Sequence, residues 1–352
     1  MTLPRLIIDK KKVLNNLNKI KLLAKSLHIK LRPHVKTLGI KKLYDIYLKN
    51  QISSITVSST AMAYEFAKIG YKDILIAIPF DITEFNILKK LLKIKTLNSI
   101  IITTDNLFIL EKIEHLLKTN NKIFLALEID CFYGRSGIFV DNLDDIKHIL
   151  NHITKKNLSQ KFWGIFSHFG QSYKTYDFSE LININKTNIE RLKKIKLEFE
   201  KKLKKNCILS IGDTPSLKIY TPEITNSIDE FRPGNFIYYD LQQFTLNSCH
   251  IDDIALFVLA TVISKKNEYI VLHCGSIHLG KEYVSIDNQL SYGLVLNNNN
   301  NILGHITDLT QEHSKVALIN HNNVSIGDTV KIIPVHSCLV ANYMKNKYFI
   351  KN

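Results

Sequence analysis

Three things are missing from this chain, and each absence removes a class of protein. Cysteine is scarce and odd in number: Cys131, Cys207, Cys249, Cys274 and Cys338 form no paired framework, which argues against a secreted disulfide scaffold and for a reducing compartment. No apolar stretch reaches the roughly 20 residues that cross a bilayer. The start, Met1 to Lys12, carries Arg5 and Asp9 and turns lysine-rich instead of forming a signal-peptide core. A cytoplasmic protein with no membrane partner is expected. Finally, no basic cluster interleaves with aromatics as in a nucleic-acid-binding module. The net charge of +15 comes from Lys and Arg scattered along helix faces such as Lys10 to Lys12 and Lys201 to Lys205. Such a field attracts small anionic groups, but a nucleic-acid partner is not expected.

What is present suits a large globular core. At 352 residues, with 45% hydrophobic and 22% charged residues, the chain is long enough for one barrel-sized domain and a smaller one. Val13, Leu14, Leu17, Ile20, Leu23 and Leu27 recur at helical spacing, and Ile29 and Leu31 begin a short extended run. The alternation then repeats. Strands are predicted at Ile55 to Val57, Ile74 to Ile78, Ser99 to Thr103, Ile123 to Ile129, Phe162 to Ser167, Ile208 to Ser210 and Ile228 to Phe231, with amphipathic segments between most of them. About eight strand–helix units match a parallel barrel, and an open doubly wound sheet has the same periodicity. Lys36, Asp130, His168 and Gly212-Asp213-Thr214 each follow a predicted strand, where barrel enzymes build their sites. From about residue 250 short apolar runs come close together: Ile254 to Ile263, Tyr269 to Leu272, Lys315 to Leu318 and Val330 to Ile333. These predict a mostly β second domain, with Asn297 to Asn301 as a disordered loop tip. The expected division is a barrel over 10–245 and a β domain over 246–352, joined by strand 1–9.

Lys36 lies in Arg32-Pro33-His34-Val35-Lys36-Thr37. A lysine at the end of a buried strand beside Arg32 and His34 is in a setting that lowers an amine's pKa, which suits a pyridoxal-phosphate Schiff base or a proton shuttle. Taken alone it reads better as a surface lysine of a basic protein. Glu128-Ile129-Asp130-Cys131-Phe132-Tyr133-Gly134-Arg135-Ser136-Gly137 ends a strand with a carboxylate and presents an arginine between two glycines, which by itself also reads as a strand-end salt bridge. Trp163 to Tyr173 is a strand followed by a polar turn holding His168 and Gln171. Gly212-Asp213-Thr214-Pro215-Ser216 offers small residues, a hydroxyl and backbone N–H groups that can surround a phosphate. In Pro334-Val335-His336-Ser337-Cys338 an imidazole and a thiol stand two positions apart, so on a strand both point the same way. Nitrogen plus sulfur is a zinc preference, and two protein ligands leave positions open.

Taken together with Arg232-Pro233-Gly234-Asn235-Phe236-Ile237-Tyr238-Tyr239-Asp240, these segments resemble the motifs of the D-serine dehydratase and D-threonine aldolase family, whose barrel is similar to that of alanine racemase. The likeness runs from Pro4 to Asn342. It implies an α/β fold, a (β/α)8 TIM-type barrel followed by a mostly β domain, working as a homodimer. It implies Lys36 as the catalytic residue carrying pyridoxal 5'-phosphate, Arg135 at the cofactor's phenolic oxygen, His168 facing its ring with Tyr173 close by, and Arg232 at the pyridine nitrogen. Gly212, Thr214, Gly234 and Asn235 would hold the phosphate, with His34, Asp130, Gln171 and His313 in support. His336 and Cys338 fall where the family keeps its metal pair, so zinc or another divalent ion is implied. Cysteine there marks the dehydratases, aspartate the aldolases.

The activity implied is a lyase reaction on a D-β-hydroxy amino acid, with D-serine giving pyruvate and ammonia. D-threonine aldolase and D-3-hydroxyaspartate dehydratase are the alternatives, followed by an amino-acid racemase and a non-catalytic pyridoxal-phosphate carrier. Two departures concern the substrate. Leu38-Gly39 stands where many members have another histidine, and His273-Cys274-Gly275-Ser276-Ile277-His278 stands where the commoner form begins with aspartate and carries a lysine.

Overall fold

The computed structural model describes residues 2–286, 288–319 and 324–351. The chain divides into two compact units. One holds Lys21–Lys36 and Lys42–Gly234, and the other holds the residues up to Ile20, Thr37–Lys41 and the chain from Asn235 onward.

The first unit is an α/β barrel. Among the described residues eight parallel strands lie in the spatial order Lys30–Leu31, Glu230–Phe231, Ile208–Ile211, Phe162–Ser167, Ile123–Asp130, Ser99–Thr104, Asp73–Pro79 and Ser54–Val57. The ring closes at a single parallel bridge between His34 and Thr56, where the Thr56 N–H donates to the Pro33 carbonyl at 2.9 Å. Parallel strands are covered on both faces, so they read as near-continuous apolar runs. Ser99–Thr104 and Ile123–Asp130 are of this kind, buried at nearly every position. The connecting helices start where a short polar side chain can satisfy an unpaired N–H. Ser59, Asn106, Asn142 and Asp177 each accept from the N–H three residues on. Each such cap is worth about 1 kcal/mol.

The barrel interior also holds charge. Arg32, 1% exposed, donates from Nε to Glu230 Oε2 and from Nη2 to Asp73 Oδ2, both at 2.7 Å. Asp73 further accepts from the hydroxyls of Ser54 and Ser99. Burial alone would discharge the guanidinium, but the two carboxylates outweigh it and raise its pKa. Desolvation works against Asp73 as well, and Arg32 holds it well below the usual carboxylate range. The side chain adjacent to the Lys36 segment in sequence therefore points into the barrel, towards two carboxylates, and braces three strands.

In the second unit six strands close on themselves. Leu256–Lys265 pairs with both Tyr269–Leu272 and Thr329–Pro334, and the circuit continues through Ser314–Leu318, Ile302–Leu309 and Gly293–Leu296. The long strand manages two partners because its register shifts between Val262 and Ser264, as at a bulge. Arg5–Asp9 adds to it antiparallel, and Tyr348–Lys351 pairs parallel with Arg5–Asp9.

Two expectations are corrected here. Asn297 to Asn301 forms an ordered hairpin turn, in which the Asn297 side chain accepts from the N–H groups of Asn299 and Asn301 and Asn300 adopts φ 65°. The His336–Cys338 segment is no strand. Thr329–Pro334 ends at the proline, His336 is the N-cap position, and Ser337–Tyr343 is helical. No helix among the described residues is long and apolar enough to cross a membrane.

Candidate functional site

In the barrel unit the predicted residues come together at the C-terminal ends of the strands. Lys36 sits on a 3-10 turn, Val35–Thr37, just past Lys30–Leu31, and its side chain is exposed rather than enclosed. Its backbone N–H donates to His34 Nδ1 at 3.4 Å, so that nitrogen is an acceptor and the ring proton is on Nε2. Burial together with the charges of Lys36, Arg232 and Arg135 pushes the His34 pKa well below its ordinary value. His168 follows Phe162–Ser167. Its Nδ1 lies 2.6 Å from the Gly212 carbonyl, which can only accept, so Nδ1 carries the proton. Burial and Arg135 bring its pKa down to about 3, leaving a neutral imidazole between the rings of Tyr133 and Tyr173.

Arg135 is half exposed, 3.7 Å from Glu128 and over the ring of Tyr133. Asp130 acts locally, accepting from the N–H groups of Tyr133 and Gly134 and so shaping the loop that carries the arginine. Gly137 closes that loop at φ 103°, where a Cβ would stand 2.8 Å from the Asp130 nitrogen. Gln171 donates to the Cys131 carbonyl at 2.8 Å, tying the His168 turn to the same loop. Arg232 is buried. It donates to Ser210 Oγ and the Ser167 carbonyl, lies over Phe166, and is lowered to about 10 by burial.

Gly212 packs against the Arg232 backbone so closely that a Cβ would come within 2.9 Å of it. Beside it the Thr214 N–H points to the Tyr173 hydroxyl at 3.4 Å, and the buried Thr214 hydroxyl has no hydrogen-bond partner in the protein. An orphaned hydroxyl beside a glycine turn, with Lys36, Arg135 and Arg232 converging on two uncharged imidazoles, fits a phosphorylated anionic cofactor with an aldehyde for the lysine. Arg32 does not join this group. Glu128, which the sequence offered only as the start of a motif, does.

The remaining residues belong to the second unit. The Asn235 side chain is engaged with Asp240 at 2.6 Å and Ser337 at 3.4 Å, so any grip on an anion comes from its backbone. His336 Nδ1 meets Glu282 Oε2 at 2.5 Å. Burial disfavours the imidazolium, but Cys338 and Glu282 outweigh burial and raise the pKa to about 11. The imidazole thus interacts with both the buried Cys338 and the Glu282 carboxylate, the latter on Nδ1. A carboxylate on one ring nitrogen is the kind of outer partner that fixes the orientation of an imidazole. No set of three or more His, Cys, Asp or Glu among the described residues is placed to hold a metal ion. His313 is exposed, its ring 6.2 Å from that of His273. Cys274 is buried, its thiol pushed far up by desolvation, and His278 Nδ1 accepts from the Gly275 N–H, so these are structural residues of their turn.

Comparison with known proteins follows the same division. Residues 8–242 match the family described as alanine racemase, N-terminal domain, and residues 255–350 match the serine dehydratase domain. Fold and match define an enzyme of the lyase class on an alanine-racemase-like barrel. D-serine dehydratase of Dictyostelium discoideum is 30% identical over 97% of this chain and 91% of its own length. The chain belongs to that D-serine dehydratase-like family. D-threo-3-hydroxyaspartate dehydratase from Delftia sp. HT23 superposes with a TM-score of 0.82 at 22% identity, covering 97% of this chain and 93% of that one. One solved structure of that enzyme is a cysteine-to-alanine mutant in the metal-free form. D-threonine aldolase from Filomicrobium marinum gives 0.77 at 17% identity, covering 97% and 90%.

Proposed function

We propose that the protein is a pyridoxal-phosphate- and zinc-dependent lyase that dehydrates a D-β-hydroxy amino acid, D-serine first, leaving pyruvate after hydrolytic release of ammonia. The observation that carries this reading is the cluster of Lys36, Arg135 and Arg232 around uncharged His34 and His168, beside the unpartnered Thr214 hydroxyl. Lys36 holds the cofactor aldehyde, Thr214 and the backbone at Gly212, Gly234 and Asn235 hold the phosphate, and Arg135 faces the phenolic oxygen. Pyridoxal phosphate, when bound, supplies an electron sink for charge left at Cα. Lys36 Nζ, the amine that would bind the cofactor aldehyde, is also the base placed to take the substrate's Cα proton. His168, neutral with its proton committed to Gly212, would sit beside the cofactor ring, and Arg232 would supply a fixed cation for its pyridine nitrogen. His336 and Cys338 would hold the divalent ion, whose Lewis acidity makes the β-hydroxyl a better leaving group. A cytoplasmic homodimer completes the reading, on the motif resemblance.

Aldol cleavage of D-threonine is the second reading, because it uses the same parts and a structural neighbour is named for it. Cys338, where the aldolases have aspartate, favours dehydration. Borohydride reduction with peptide mapping tests the first step: the reduced adduct is expected on Lys36. A keto-acid assay on metal-loaded enzyme tests the second, with pyruvate expected from D-serine. Glycine and an aldehyde from D-threonine, without pyruvate from D-serine, would replace dehydratase by aldolase.

A further inference from the structure

Glu128 has no part in the scheme above, yet its surroundings are those of a working group. It lies near the end of Ile123–Asp130 and is 2% exposed. One carboxyl oxygen is 3.7 Å from Arg135 Nη2, and the other is buried with no hydrogen-bond partner in the protein. The loop that carries Arg135 is folded directly over it, since a Cβ on Gly137 would stand 3.1 Å from Glu128 Cγ. The groups acting on the carboxyl come from three directions: Arg135 and the Ser136 hydroxyl from that loop, Asp105 from the end of Ser99–Thr104, and Arg232 from the end of Glu230–Phe231. Asp105 is itself anchored by the Gly137 N–H at 3.2 Å. Burial, the largest influence, brings Glu128 up to about 7, with Ser136 and Arg135 pulling the other way.

We propose that Glu128 is the positioning residue of Arg135 and exchanges a proton with solvent as Arg135 changes partner: when the guanidinium takes an anionic group of the cofactor, Glu128 takes up a proton. The reason is local charge balance. Arg135 stays cationic throughout. Without a ligand it serves the Glu128 carboxylate, and with a ligand two anions compete for one guanidinium, one of them enclosed, where burial already disfavours its charge. The cofactor's oxygen remains on the exposed guanidinium, and the enclosed carboxyl is the one neutralised. The protonated carboxyl then carries an O–H donor in place of a charge.

This inference rests on Arg135 being a cofactor ligand, and the experiment separates the two. Pyridoxal 5'-phosphate is titrated calorimetrically into the full-length chain freed of cofactor, at pH 7, in two buffers of different ionisation enthalpy, for wild type, Glu128→Gln and Arg135→Leu. Wild type should take up about half a proton more per site than either variant. The holoenzyme's cofactor absorbance and kcat/KM should show a limb on the alkaline side of pH 7 that Glu128→Gln flattens. Equal proton uptake in wild type and Glu128→Gln overturns the proposal, and so does uptake that persists in Arg135→Leu. If Glu128→Gln does not fold, the Arg135→Leu count alone decides. Borohydride labelling of Lys36 in every sample shows whether the functional reading itself stands: absence of the adduct sinks that reading, whereas an intact adduct with equal proton counts sinks only the Glu128 coupling.

Discussion

His168 in the barrel unit and His336 in the second unit are both largely enclosed, yet the first is held neutral and the second is held charged. The difference lies in what surrounds them. His168 faces Arg135, Lys36 and Arg232, with one carbonyl on its side, so burial and like charge act together. His336 is enclosed by Cys338, Glu282 and Asp240, which overcome the same burial. One cluster gathers positive charge and the other negative, within a chain whose net charge is positive. An imidazole's charge is thus set by its neighbours.

The largest break in this comparison is Lys36→Ala. It should remove the borohydride-reducible adduct and lower turnover by about 10³-fold or more, leaving the metal content unchanged. A reduced adduct on another lysine would end the assignment. Next comes Arg32→Met, which leaves Glu230 and Asp73 buried without their cation. Denaturant unfolding should show about 3–5 kcal/mol lost. A loss below about 1 kcal/mol would mean that the barrel interior is wetter than the structure has it.

On the other side, Cys338→Ala should strip the metal and pyruvate formation while the Lys36 adduct persists. Glu282→Gln should weaken metal affinity by about 10–100-fold in a chelator competition. Unaltered affinity would show that the carboxylate does not orient His336.

The smallest effect is on acid stability. His168 has a folded pKa of about 3 against an ordinary value near 6.5, so the unfolded chain binds the extra proton. Stability from this group is fully present above pH ~6.5 and is lost as pH falls towards 3. His168→Asn should flatten that part of the curve, measured as urea midpoints at several pH values. A curve parallel to wild type would remove His168 from the account.

The barrel was readable because its strands are covered on both faces and therefore spell out continuous runs, as in Ser99–Thr104 and Phe162–Ser167. Ile228 was read into the last strand, but its N–H belongs to a turn closed on Thr225 and the strand begins at Glu230. In the second unit five strands were legible, Arg5–Asp9 among them. Ile302–Leu309 was not, since Gly304, His305 and Asp308 interrupt its apolar pattern and its register shifts. Val284–Ile286, Gln289–Ser291 and Tyr348–Lys351 are short and half exposed. The turn after Pro334 is held from outside its own segment: Asp240 Oδ2 accepts from the N–H and hydroxyl of Ser337. No local pattern announces a bond between residues 97 positions apart.

By itself the sequence determined the alternation that makes the barrel, the position of Lys36 past its first strand, and the pairing of His336 with Cys338. These are local properties, written in hydrophobic period and short spacing. The charge carried by each group was decided only by tertiary structure. Burial and the approach of side chains from distant strands turned Arg32 inward, discharged His34 and His168, charged His336 and left Glu128 enclosed beside Arg135.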